Sequence, residues 1–195
     1  MVGSMSTGLN NALAKQVGEH LVCAELGRRN LIATPFSGNV PAFDILAADQ
    51  RCRTVPIQVK ASRSDSWFSD ARKWMQMSFD PKTKAQKNLG PIHIANPDLI
   101  YVHVAIAPPD DSRKDDSAER KDRFFILTKS QLQAVCIKTY SAWMDTIEWK
   151  RPKKPECYDN RYYISGLQPY EDNWQLISDR LAKSSADEAL ESTEE

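Results

Sequence analysis

Two neighbouring apolar stretches carry isolated polar residues at a period of two, which predicts paired strands. In residues 42–48, Phe43, Ile45 and Ala47 fall on one face, and Ala42, Asp44 and Leu46 on the other. In residues 54–61, Val55, Ile57 and Val59 oppose Gln58 and Lys60. The segment between them, Asp49-Gln50-Arg51-Cys52-Arg53, is short and polar, so the simplest arrangement is an antiparallel hairpin with Asp44 beside Gln58 and Lys60. Upstream, Leu13, Val17, Leu21 and Ala24 recur at helical spacing between a capping Asn10 or Asn11 and Gly27. Glu19 lies off that stripe and shares a second face with Val22, Cys23 and Leu26. Residues 31–36 read as a first strand, and Ser37 to Pro41 as the turn into the Asp44 strand.

Farther along, Leu99 to Ile106 is almost continuously apolar and β-branched, as in a strand buried on both faces, with His103 a structural residue inside it. Residues 123–128 predict another strand, and Thr128-Lys129-Ser130-Gln131 starts a helix carrying Leu132, Val135 and Cys136. Arg161 to Ser165 reads as a short strand, followed by a helix from Pro169 with Tyr170, Trp174 and Ile177 on one face. Pro108 to Asp122, rich in charge and without an apolar anchor, reads as a mobile loop. Between Ser62 and Asn96 no clear periodicity emerges. Trp74 and Phe79 read there as core, whereas Trp67 is left open between core and a base-stacking role.

Composition sets the frame. At 195 residues, 41% hydrophobic and 27% charged, the chain suits one globular domain over residues 10–181. Residues 1–9, with Met1 to Ser4 ahead of Met5, are set aside as a disordered N-terminus or tag remnant, and 182–195 as a disordered acidic tail. Bases and acids are equal at 26 each, but Asp187 to Glu195 holds five acids and no base, so the remainder carries 26 bases against 21 acids and tolerates a polyanionic partner. No stretch reaches the ~18 apolar residues of a membrane span, and no signal pattern is present, which predicts a cytoplasmic protein with no membrane partner. Cys23, Cys52, Cys136 and Cys157 are scattered with no metal-ligand spacing, as in a reduced intracellular protein. The absence of Gly-x-Ser-x-Gly and of Walker patterns sets aside serine hydrolases and phosphate-loop enzymes.

A carboxylate, an amide oxygen and an ammonium on one sheet face are the parts needed to hold Mg²⁺ and direct water at a phosphodiester. The same residues also suit an ordinary cross-strand pair on a solvated face. Their order and spacing resemble the PD-(D/E)XK nuclease superfamily: a helical Glu (Glu19), an apolar strand bearing Asp (Asp44, after Pro41-Ala42-Phe43), then Gln58-Val59-Lys60 where most members have Glu-x-Lys. The resemblance covers roughly the first two thirds of the chain, with Gln58 the departure from the commoner residue.

This resemblance implies an α/β fold with a restriction endonuclease-like mixed central sheet flanked by helices, an αβββαβ core. It implies a Mg²⁺- or Mn²⁺-dependent endonuclease hydrolysing DNA, restriction-like or junction-resolving, with a homodimer left open. Asp44, the Gln58 side chain and the Val59 carbonyl would hold the metal, Glu19 a water, and Lys60 the water or the phosphate charge. Ser62, Arg63 and Lys73 follow as nucleic-acid contacts, with the basic segment Lys150 to Pro155 a second candidate. A fold that keeps these residues without cleavage, serving as a nucleic-acid or protein interaction module, is the alternative.

Overall fold

The computed structural model describes residues 7–36, 42–107 and 121–191, with side chains from 10 to 183 within these ranges. The expected turn at Ser37 to Pro41, most of the expected mobile loop after Pro108 and the acidic side chains from Asp187 onward lie outside the described residues. In chain order the elements are α1 (Thr7–Arg28), β1 (Ile32–Pro35), β2 (Ile45–Ala48), β3 (Thr54–Ser62), β4 (Ser66–Asp70), a 3-10 turn (Ala71–Lys73), β5 (Met75–Asp80) and β6 (Ala85–Pro91). They continue with β7 (Ile100–Ala105), β8 (Arg123–Thr128), α2 (Lys129–Asp145), β9 (Asp159–Tyr163), α3 (Ile164–Leu167), a second 3-10 turn (Gln168–Tyr170) and α4 (Gln175–Glu191). No described helix is long and apolar enough to cross a membrane.

The chain divides into two compact units, 1–64 with 99–127 and 170–195, and 65–98 with 128–169. The first unit holds a five-stranded mixed sheet in the order β1-β2-β3-β7-β8. β1, β2 and β3 form an antiparallel meander in which Ile45 faces Ile57 and Ala47 faces Val55. β7 runs parallel to β3, with Ile57 beside Ile100 and Lys60 beside His103. No α-helix lies between β3 and β7, where an αβββαβ core would place one; residues 63–99 are occupied by strands and a 3-10 turn.

Val55, Ile57 and Val59 join Ile45, Ala47, Val102, Val104, Phe124 and Ile126 in one apolar cluster, to which α1 adds Val22 and Leu26, α4 adds Ile177 and Leu181, and the residue ahead of α4 adds Trp174. The buried stripe of α1 is Ala14, Gly18, Val22 and Leu26 rather than the expected Leu13, Val17, Leu21 and Ala24, and Val17 is exposed. Gly18 explains the choice of face. A Cβ built there would lie 2.3 Å from the Ala61 Cβ and 3.6 Å from a Val59 methyl, so only glycine lets the helix backbone come this close to β3. That rotation carries Glu19 to the margin of the interface.

The chain after Tyr170 is tied to β8. Arg123 makes a bidentate pair with Glu171 (2.7 and 2.9 Å), the Asp172 N–H donates to the Phe124 carbonyl at 2.9 Å, and Trp174 packs on Phe124 with ring centroids 5.3 Å apart. α4 runs from Gln175 to Glu191.

The second unit is built on an antiparallel ribbon, β4 with β9, and a hairpin, β5 with β6. α2 opens on the expected capping box, Thr128 accepting from the Gln131 N–H and the Gln131 side chain accepting from the Thr128 N–H. Its core joins Ala71, Met75, Tyr140 and Met144. The buried Gln86 accepts from the Tyr140 hydroxyl at 2.5 Å and donates to the carbonyls of Pro155 (2.6 Å) and Cys157 (3.0 Å), so its amide is satisfied. Burial pushes the Tyr140 phenol up to about 12 and the Cys136 thiol also up to about 12. Both groups therefore stabilise the fold while neutral. Stability is expected to be full below pH about 9 and to fall as pH rises toward 12, a loss that Tyr140→Phe should reduce in alkaline unfolding titrations.

Candidate active site

Asp44 stands one residue ahead of β2, where its backbone is pinned from both sides. Its N–H donates to the Ile57 carbonyl at 2.9 Å, and its carbonyl accepts from the Phe36 N–H at 3.0 Å. Extending the β2–β3 register by one residue sets Asp44 opposite Gln58 on the face that Lys60 shares. Asp44 Oδ2 accepts from the Val59 N–H at 2.9 Å and from Gln58 Nε2. In a strand the N–H and C=O of one residue point to the same side, so the Val59 carbonyl also faces the Asp44 edge. Asp44 is only 8% exposed.

Glu19 reaches this place from α1. The Lys15 ammonium lies 3.4 Å from Asp44 Oδ1 and 3.6 Å from Glu19 Oε1, linking the two carboxylates. Burial, and then the Asp44 charge, hold the Glu19 carboxyl above the ordinary glutamate range despite Lys15. Burial works against the Lys15 charge, yet Asp44 and then Glu19 raise its pKa above the ordinary lysine value. Spacing along the helix pairs Lys15 with Glu19 alone, at i and i+4. Its contact to Asp44 crosses between elements and has no signal in the spacing of charges along the chain.

Lys60 is exposed and lies beside the fully buried His103 across β3 and β7. Burial, with a smaller contribution from Lys60, pushes His103 down to about 3. Its imidazole is thus neutral at pH 7, as a structural role requires.

Ser62 and Arg63 line a cleft of about 290 Å³ with Ser64 and with Asn10 and Asn11 of α1. The Ser64 N–H donates to Ser62 Oγ at 3.1 Å. Asn10 and Asn11, expected as caps, lie inside α1, which begins at Thr7. Lys73 belongs to the other unit, exposed at the end of the 3-10 turn Ala71–Lys73.

Trp67 is buried against Tyr162 (centroids 6.1 Å), which favours its reading as core, and Trp74 is buried as expected. Phe79 is only half-buried. The exposed aromatic of β4 is Phe68, with the Arg161 guanidinium 4.2 Å from its ring centre. In the basic segment, Arg151 packs on Trp143 at 4.9 Å and donates to the Cys157 carbonyl, so it serves the fold.

Among the described residues no three His, Cys, Asp or Glu converge as metal ligands. A cation here would therefore rely on two carboxylates, an amide oxygen and a backbone carbonyl. No protein-family model, curated protein or solved structure matches this chain.

Proposed function

We propose that the chain is a metal-dependent endonuclease that hydrolyses DNA phosphodiester bonds on a restriction endonuclease-like core. The observation that carries this reading is the pair of shielded carboxylates, Asp44 and Glu19, drawn together around a positive charge beside Gln58 and Val59. The antiparallel β1–β2–β3 meander with β7 parallel to β3 supports the core.

The donor set fits a hard divalent cation. Asp44 and the Val59 carbonyl would hold Mg²⁺ or Mn²⁺, joined by Gln58 once its amide turns its oxygen toward the ion. The ammonium already lodged between the two carboxylates marks the place as one that accepts positive charge. When bound, such a cation supplies charge against phosphate oxygens and acidifies water. Glu19, with its carboxyl raised above the usual range, is suited to accept a proton from the attacking water. Lys60, exposed on the face shared with Asp44 and Gln58, offers an ammonium to the charge that builds on the phosphate. Ser62, Arg63 and the neighbouring asparagines would hold an adjoining phosphate by hydrogen bonds.

One observation favours the alternative, a non-cleaving interaction module: Gln58 turns its Nε2 to Asp44, so the carboxylate is already met by protein donors. Incubating the purified protein with supercoiled plasmid, single strands and branched DNA, each with Mg²⁺, Mn²⁺ or EDTA, separates the two. Cleavage with metal and none with EDTA is expected, and a fall on the order of 100-fold or more in Asp44→Asn and Lys60→Ala. Asn is preferred to Ala at position 44 because Ala would leave the buried Val59 N–H without its acceptor, at about 1–3 kcal/mol. Wild type inert on every substrate with either metal would leave the module reading in place.

A further inference from the structure

A Lys and a Glu four residues apart on a helix make an ordinary surface pair, worth little. Lys15 differs because its second partner comes from another element. Its Nζ lies 3.6 Å from Glu19 Oε1 on the same helix and 3.4 Å from Asp44 Oδ1 at the head of β2. The two carboxylates are sheltered, with side chains 13% and 8% exposed, whereas the Lys15 side chain is 54% exposed. The anions are thus fixed by the fold, Asp44 by the Val59 N–H and Gln58, and Glu19 by the interface that Gly18 seats on β3. The cation between them is a flexible, half-solvated stem that can leave by rotation alone.

We infer that Lys15 is a built-in, displaceable counter-ion of the Asp44–Glu19 site, which a divalent cation must expel before it can bind. The inference rests on the cation-binding reading above and adds a regulatory element to it. An ammonium in contact with both carboxylates and a divalent ion on the same oxygens would bring like charges within a few ångströms of each other, so occupancy is exclusive. Lys15 then weakens cation affinity, and in the cation-free protein it keeps the carboxylates from repelling one another. Once expelled into solvent, its ammonium becomes available to an approaching polyanion, which would couple substrate binding to metal loading.

Calorimetric titration of Mg²⁺ and of Mn²⁺ into the full chain tests this with wild type, Lys15→Gln, Lys15→Arg and Asp44→Asn, together with thermal unfolding of each in EDTA and in saturating Mg²⁺. Lys15→Gln should bind on the order of tenfold more tightly than wild type, Lys15→Arg should stay near wild type, and Asp44→Asn should remove the binding heat. Lys15→Gln should also melt below wild type in EDTA and recover in Mg²⁺. Equal or weaker affinity in Lys15→Gln, with binding still dependent on Asp44, overturns the counter-ion role and leaves the metal site standing. No Asp44-dependent binding in either protein overturns the metal site itself, and the counter-ion role with it.

Discussion

Gly18→Ala should destabilise the protein by about 1–3 kcal/mol, the ordinary cost of forcing extra volume into a packed interface. On intrinsic propensity alone the change should help, since alanine is favoured over glycine inside a helix by roughly 0.5–1 kcal/mol. The packing outweighs it: the new methyl would sit 2.3 Å from the Ala61 Cβ, and that neighbour is a rigid stub on the central strand rather than the end of a flexible side chain. α1 must then lift from β3, taking Lys15 and Glu19 away from Asp44. Urea unfolding of Gly18→Ala, Ala61→Gly and the double variant provides the measurement. The double variant should recover most of the loss, because the space removed at one position is returned at the other. A Gly18→Ala protein as stable as wild type would show that the helix does not need this approach.

Acid should weaken the fold through His103. The imidazole is fully buried and its pKa is lowered from 6.5 to about 3, so the unfolded chain takes up a proton that the folded chain refuses. A group with a depressed folded pKa contributes stability that is present above its unfolded value and lost as pH falls through the folded one. The window is therefore pH 6.5 down to about 3, and the loss attributable to this one group is on the order of 4 kcal/mol at most. Urea midpoints between pH 7 and 3 should fall more steeply in wild type than in His103→Leu, which has nothing to protonate at that position. Parallel slopes in the two proteins would mean that carboxylates alone set the acid limit.

Where one physical signal dominates, the sequence is readable. Alternation of β-branched residues with polar ones marked β3, and the apolar run Ala42 to Ala48 with its single acid marked β2; together they placed Asp44 beside Gln58, because an antiparallel hairpin with a short polar turn leaves one simple register. β7 and β8 showed themselves as apolar runs, and α2 through its capping box. β5 and β6 escaped notice because Met75, Met77 and Phe79 alternate with polar residues but include no β-branched side chain, and Ala85-Gln86-Lys87-Asn88-Leu89 is polar by composition. Their key inward group, Gln86, is buried by hydrogen bonds to partners distant in sequence rather than by hydrophobicity. For the same reason the division into two units is invisible in the pattern, since it depends on which strands pair.

In α1 two stripes competed. The more apolar one lost to the one containing Gly18, because closeness of approach rather than apolar count selected the buried face. Of the site itself, the Asp44, Gln58 and Lys60 arrangement was legible and the bridging position of Lys15 was not. Period and spacing describe neighbours along one element, whereas Lys15 meets Asp44 across the gap between two.

The division of the chain has a consequence for its biogenesis. Residues 65–98 emerge from the ribosome after β3 and before β7, so the innermost strand of the sheet waits for its parallel neighbour until a long segment belonging to the other unit has been made. Until then the backbone groups of β3 on that side are unpaired, a template for pairing with other nascent chains. The closure that ends the wait spans residues 63–99, and it becomes cheaper if that segment has already drawn its own ends together. Yet β4 cannot pair until β9 is made, and α4 comes later still, so the second unit can close only after β7 and β8 have been made, and the first is completed last. A fragment ending ahead of β7 would therefore carry β1 to β3 with that edge unpaired, and one ending ahead of β9 would leave β4 without its partner, so truncation from the C-terminus costs each unit a different strand.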